Sequence, residues 1–376
     1  MLDPILERFC ALFGGNADTV QQVFAPGRIN LMGEHLDYNG GPVLPMALDR
    51  GIRFWFRART DRQVLLHSDG QADPLPISLD AVPGPGVMAG WGNAAAGMIA
   101  LTREIGWDGP GFEALLISDL PVGSGLSSSA ALLVGMGFVL ADLTGQARDA
   151  RAIALRAQAV EARYLGVHCG IMDSFVIAHA SPGQAMHLDC GSLDWHDVEA
   201  SLANHAWVVM DSRAARTLAG SAYNDRRRVC EAAAVNLGLA YLASMTDEAQ
   251  WAQLDDPAEQ ALARHVFTET RRVAAMEQAL LAQDADAVGA CLQASHTSLR
   301  DDYRVSSPAL DALVEHASGH PACRGARMTG AGFGGCAIAL VSRSALPSFL
   351  NHMEAIFPSK RSLLPHCFPA LVADVL

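Results

Sequence analysis

The sequence is nearly without lysine: of its 27 basic residues only Lys360 is one, and the rest are arginine. A phosphate loop of the G-x-x-x-x-G-K-[ST] type needs its lysine, and Schiff-base chemistry needs a buried one. Lys360, in a Pro-Ser-Lys-Arg stretch near the C-terminus, has neither setting. Long apolar runs are also missing. The longest nearly apolar stretch, Ala130 to Ala141, contains Gly135 and Gly137 and falls short of the ~18–20 residues that cross a bilayer. The N-terminus mixes Asp3, Glu7 and Arg8 into apolar positions, which predicts an amphipathic helix and no secretory signal. The eight cysteines include no C-x-x-C, and the closest neighbours are Cys323 and Cys336. Reduced thiols in a cytoplasm are the expectation. Basic runs are absent apart from Arg226 to Arg228, and the formal charge is -13, which argues against nucleic acid as a partner.

What remains is a chain of 376 residues, 50% hydrophobic and 18% charged, enough for one large or two ordinary domains. Periodicity predicts a strand over Gly51 to Thr60, with Ile52, Phe54, Phe56 and Ala58 on a core face and Arg53, Arg57 and Arg59 beside Trp55 on a half-wet face. A second strand is expected over Phe112 to Ser118, then helices over about Ser128 to Thr144 and Arg148 to Tyr164. A hairpin-like stretch, Gly183 to Asp194, and a strand, Trp207 to Asp211, lead into a helical region: Asn224 to Asn236, Pro257 to Ala282, Ala285 to Tyr303 and Pro308 to Gly319. A strand over Cys336 to Val341 follows. The pattern implies two α+β domains facing one cleft, 1–200 and 201–376, divided near 195–205.

Three clusters interrupt these elements. Pro121-Val-Gly-Ser-Gly-Leu-Ser-Ser-Ser-Ala-Ala131 lies between a strand and a long helix. Glycines there allow close approach of main chain to a phosphate, and serines at the helix start offer hydroxyls and free N–H groups; an ordinary serine N-cap is the plainer alternative. Met328-Thr-Gly-Ala-Gly-Phe-Gly-Gly335 matches G-x-G-x-x-G in form but feeds a strand where a dinucleotide loop would open a helix. It reads as a tight interstrand loop or as a wall over a phosphate. Ala25-Pro-Gly-Arg-Ile-Asn-Leu-Met-Gly-Glu-His-Leu-Asp-Tyr-Asn-Gly-Gly41 crowds Arg28, Glu34, His35 and Asp37 into a glycine-bent segment, which suits hydrogen bonding to a polyol.

Together the clusters resemble the three signature motifs of the GHMP small-molecule kinases, and the one at Ala25 to Gly41 is similar to the galactokinase signature. Trp91-Gly-Asn93, Cys169-Gly-Ile-Met-Asp173, Ser221-Ala-Tyr-Asn-Asp-Arg-Arg227 and Ser295-His-Thr-Ser-Leu-Arg-Asp-Asp-Tyr303 extend the resemblance over most of the chain. It implies an α+β fold with a ribosomal-protein-S5-like N-terminal domain, a ferredoxin-like C-terminal domain and the active site in the cleft between them. It further implies ATP-dependent phosphorylation of a sugar, galactose first, at C1. Gly123, Ser124, Gly125, Leu126, Ser127, Ser128 and Ser129, with Trp91, would bind ATP, and Ser129 and Glu161 would hold Mg²⁺. Arg28, Glu34, His35, Asp37, Gly170, Asp173 and Tyr223 would bind the sugar, with Asp173 and Arg28 catalytic. An arginine beside a carboxylate favours its ionised form, so alignment of the hydroxyl should count for more than proton abstraction. The partners implied are a small sugar and ATP, with no membrane and a monomer favoured.

Four departures from the family pattern bear on the substrate. Ser174 follows the catalytic Asp where Gln is usual, and Leu36 stands where Thr is usual. Asp211 and Arg216 replace Asn and His. A uronic acid could pair with Arg213 and Arg216, so related sugar 1-kinases of galacturonate, arabinose or an N-acetylhexosamine are alternatives. A sugar sensor without turnover is a third. The Trp91-Gly-Asn segment lacks the tyrosine usual after Asn, which leaves the adenine pocket open.

Overall fold

A computed structural model of the chain describes residues 3–356 apart from 70, 72, 122, 182 and 215–218, together with the strand His366–Pro369. Lys360 and Arg216 lie outside the described residues. The first half runs α1 (Pro4–Phe13), β1 (Gln21–Asn30), β2 (Pro42–Val43), β3 (Pro45–Ala58), β4 (Gln63–Ser68), β5 (Leu75–Ser78), α2 (Trp91–Glu104), β6 (Phe112–Ser118), α3 (Ser128–Leu143), α4 (Ala150–Leu165), α5 (Met172–His179), β7 (Gln184–Asp189) and β8 (Trp195–Glu199). The second runs β9 (His205–Asp211), α6 (Ala219–Asn236), α7 (Glu248–Trp251), α8 (Pro257–Leu281), α9 (Ala285–Asp301), α10 (Pro308–Ser318), β10 (Cys323–Thr329), β11 (Cys336–Ser342), α11 (Leu346–Ile356) and β12 (His366–Pro369).

Among the described residues there are two sheets. The larger has the order β2-β7-β3-β6-β4-β5, with β1 also paired to β3 and β8 to β7; the smaller has the order β10-β11-β9-β12. Among the described strands, only β4 and β6 pair in parallel. The long β3 is the spine of the larger sheet, holding β1 along one edge and β6 along the other. On its Arg53-Trp55-Arg57 face, which the alternation leaves half wet, Arg53 keeps a side chain 39% exposed, whereas Trp55 and Arg57 are covered. Phe9 of α1 packs on Trp55 and Leu115 to form a small second core, and Arg57 lies over the Phe9 ring while reaching the buried Glu113. An amphipathic helix brought from the N-terminus covers part of a face that strand periodicity alone leaves to solvent.

Helix α3 is apolar on nearly every side and sits in the main core, as an all-round hydrophobic helix must. A side chain at Gly135 would run into the Phe54 ring of β3, so glycine lets α3 lie close on the sheet. That close seating fixes where the N-terminus of α3 opens. No described helix is long and apolar enough to cross a membrane.

Candidate active site

The site is built on three turns that glycine allows. β1 bulges between Pro26 and Arg28, and Gly27 has no room for a side chain against Leu120 and the Leu126 carbonyl. The strand therefore reaches the 123–129 loop, where the Arg28 N–H donates to the Leu126 carbonyl at 3.2 Å. Beyond β1 the chain turns at Gly33 (φ 99°) and His35 (φ 63°), a left-handed conformation that costs a non-glycine residue free energy and is found at functional sites. The third turn, 330–335 between β10 and β11, has positive φ at Gly330, Gly332, Phe333, Gly334 and Gly335. This Gly-rich segment is a hairpin loop, as its following strand implies, and Gly330 and Ala331 form one wall of the site.

These turns enclose a cavity of about 400 Å³. At its centre Asp173, on the first turn of α5, receives a two-pronged ion pair from Arg28: Nε to Oδ1 and Nη2 to Oδ2, each 2.7 Å. Ser127 Oγ donates to the same Oδ2. Arg28 Nη1 donates to the Gly125 carbonyl at 2.7 Å. One guanidinium thus ties the glycine-serine loop to the acid, in the planar forked geometry that arginine provides.

On one side is the mouth of α3. Helices α4, α8, α9 and α10 each have a side-chain N-cap, from Asp149, Asp256, Asp284 and Ser307. α3 has none: its cap residue Ser127 is left-handed (φ 64°), with its hydroxyl turned to Asp173. The serine N-cap alternative is therefore excluded, and the first-turn N–H groups are left for a ligand. Gly123, Gly125, Ser127, Ser128 and Ser129 border the cavity. Ser124 and Leu126 do not; both are buried, with Ser124 N donating to Pro121 and Leu126 serving through its carbonyl. Trp91 is also away from this cavity, opening α2 and packed against the core. Ser129 and Cys169 both hydrogen-bond to Glu161, the thiol at 2.6 Å. Burial, then the charge of Asp173, pushes the Glu161 carboxyl above its ordinary value.

On the other side are Asp37, His35, Gly170 and Tyr223, all bordering the cavity. Burial, then the like charge of Asp173, raises Asp37 to about 7. Gly170 has no room for a side chain because the Asp37 carboxylate occupies that space, and its N–H donates to the Tyr223 hydroxyl at 3.4 Å. Burial and the neighbouring His265 lower His35 to about 3. The ring is therefore neutral, with Nδ1 at 2.8 Å from the Tyr38 hydroxyl. Glu34 also borders the cavity, yet it accepts from Asn30 Nδ2, Thr329 Oγ1, the Gly330 N–H and Arg327. Its carboxylate therefore locks the Gly33–His35 turn to the 330–335 loop. Arg213 is exposed and does not border the cavity.

Sequence reasoning missed Arg327, which is fully buried and bridges Glu34 and Glu269, and Glu269 itself, which accepts from the Gly33 N–H at 3.0 Å. Arg272 and Arg327 overcome burial and hold Glu269 down at about 2. Local pattern carries no trace of this network, because its members come from β1, α8, α9 and β10.

The first part of the chain, residues 7–58, matches the model of the galactokinase galactose-binding signature. Residues 93–181 and 276–359 match those of the GHMP kinase N-terminal and C-terminal domains. A galactokinase of Exiguobacterium sibiricum is 38% identical over 100% of this chain and 97% of its own, and one of a Roseiflexus species is 40% identical over 95% and 92%. The crystal structure of Lactococcus lactis galactokinase complexed with galactose superposes with a TM-score of 0.92 at 33% identity, covering 98% of this chain and 97% of the other. The two-domain α+β architecture, the three motifs and the full-length similarity together place this chain in the galactokinase family of GHMP kinases, sugar kinases that use ATP.

Proposed function

We propose that this chain transfers the γ-phosphoryl group of ATP to the C1 hydroxyl of D-galactose, giving galactose 1-phosphate and ADP, and that it does so as a cytoplasmic monomer of two domains, 1–200 and 201–376. The observation that carries the reading is the Arg28–Asp173–Ser127 cluster, which lies between the uncapped mouth of α3 and the Asp37–Gly170–Tyr223 pocket. A hydroxyl held at Asp173 on the sugar side faces the place where main-chain N–H groups and serines take the triphosphate. Asp173 aligns the C1 hydroxyl and accepts its proton as the new P–O bond forms. Arg28, already bonded to both the acid and the loop, stabilises negative charge on the transferred group. His35, Asp37, Gly170 and Tyr223 orient the sugar, and Glu34 holds their turn in place.

The donor set suits Mg²⁺, which favours oxygen ligands and retains water. The Glu161 carboxylate is largely buried, with the Ser129 hydroxyl and the Cys169 thiol as its partners. When bound there with ATP, the ion would neutralise phosphate charge that a lysine neutralises in P-loop enzymes.

Release of ADP, measured with ATP and Mg²⁺ across a panel of galactose, galacturonate, arabinose and N-acetylhexosamines, tests the reading. Turnover highest with galactose is expected. Turnover confined to a uronic acid, or saturable sugar binding without turnover, overturns it.

A further inference from the structure

Outside the cavity, three metal-ligating side chains meet where the two halves of the chain touch. His187 on β7 and His196 on β8 are direct cross-strand partners, so their side chains leave the same face of the hairpin. Their rings stack with centroids 4.8 Å apart. Glu277 of α8 lies over them, with Oε2 at 2.5 Å from His187 Nδ1 and Oε1 at 2.8 Å from His196 Nε2. The ligand atoms of the three residues all lie within 4.8 Å of one another. We propose that His187, His196 and Glu277 form a binding site for a divalent transition-metal ion of the zinc class, separate from the site of phosphoryl transfer and independent of how that site is read.

Two imidazole nitrogens and one carboxylate oxygen are a donor set of borderline softness, which favours Zn²⁺, Co²⁺ or Cu²⁺ over Mg²⁺. Small rotations of the carboxylate and the exposed His196 ring bring three ligands around one ion. Each imidazole binds as the neutral tautomer with its proton on the other ring nitrogen. His196 is 57% exposed at its side chain, whereas His187 and Glu277 are 21% and 16% exposed. One side therefore stays open to water as a fourth ligand. Such an ion fastens the β7–β8 hairpin to α8. About two to three helical turns away, the same helix supports the Gly33–His35 turn, with Glu269 on the Gly33 N–H and His265 Nε2 at 3.1 Å from the Glu34 carbonyl.

The test uses the full chain, free of any affinity tag and stripped of metal, in excess Mg²⁺. Titration with Co²⁺ is expected to develop visible absorption that saturates at one ion per chain, and Zn²⁺ to displace it and raise the thermal midpoint. Glu277→Gln and His196→Ala should each weaken Zn²⁺ binding at least tenfold and abolish the thermal gain. His196 is exposed, so its alanine variant keeps the fold even if the Glu277 variant does not. Zn²⁺ affinity in His196→Ala equal to wild type, or no saturable binding by the wild type, overturns the proposal.

Discussion

At the residue scale the site turns on one carboxylate and the arginine that holds it. Asp173 has both oxygens engaged by Arg28 and one shared with Ser127, and in the proposed reaction it would fix the hydroxyl at the point of transfer. Asp173→Ala should lower kcat by about 10²- to 10⁴-fold, the range of a positioned acid-base group, with little change in thermal midpoint. A near-wild-type kcat removes the role. Asp37 gives a pH signature. Its carboxyl is raised from 3.8 to about 7 by burial and by Asp173, so the native state holds a proton that the unfolded chain has released. That contribution to stability is fully present below about pH 4 and is lost as pH rises through 7, by at most about 1.4 kcal/mol per pH unit. In denaturant titrations without ligand, the wild type minus Asp37→Asn difference in unfolding free energy should fall across that window. A difference constant from pH 4 to 8 contradicts the assignment. The sequence made Arg28, Asp37, Gly170 and Asp173 legible because they sit in short motifs. Arg327 and Glu269 stayed hidden because their partners are brought together only by the tertiary fold.

Among the elements, α3 matters most because its N-terminus lacks a cap. Ser128 is exposed on its first turn. Ser128→Asp puts a carboxylate where helix geometry favours an anion, so the free protein should gain about 0.3–1 kcal/mol. The same carboxylate repels a triphosphate at that mouth. KM for ATP should rise at least tenfold while galactose affinity holds, as read by initial rates and by sugar titration without nucleotide. Equal loss on both substrates would mean that the loop serves the sugar as much as the phosphate. Several elements were readable from pattern alone. β6 has the span expected from its apolar run, Phe112–Ser118, and α8 and α10 start at prolines that suit a first helical turn. β1 was obscured because its second half, Ala25–Asn30, carries Pro26, Gly27 and Arg28, which read as a loop until the bulge and the pairing with β3 are seen. The burial of Trp55 on the otherwise part-exposed face of β3 was not legible because its cover, α1, comes from elsewhere in the chain.

For the whole molecule, the question is what holds the Gly33–His35 turn against the sheet that carries the 330–335 loop. Arg327 on β10 reaches the Asn30 carbonyl, Glu34, Ser295 and Glu269 with no exposure to water. Removing one partner of a buried ionic network typically costs about 3–5 kcal/mol. Arg327→Met should therefore lower unfolding free energy by that order, and adding Glu34→Gln should recover part of the loss by removing a stranded charge. A loss under about 1 kcal/mol would mean that the network does not join the two sheets. The cavity exists only when both parts are in place, since its walls include β1, α5, α6 and the 330–335 loop. In the proposed function, a chain nearly free of lysine grips a triphosphate with main-chain N–H groups at the mouth of a helix. Hydrogen–deuterium exchange along the chain, with and without Mg²⁺ and a non-hydrolysable ATP analogue, measures this directly. Protection concentrated in residues 123–131 is the predicted result; saturating nucleotide that leaves those amides exchanging at their free rate would contradict it.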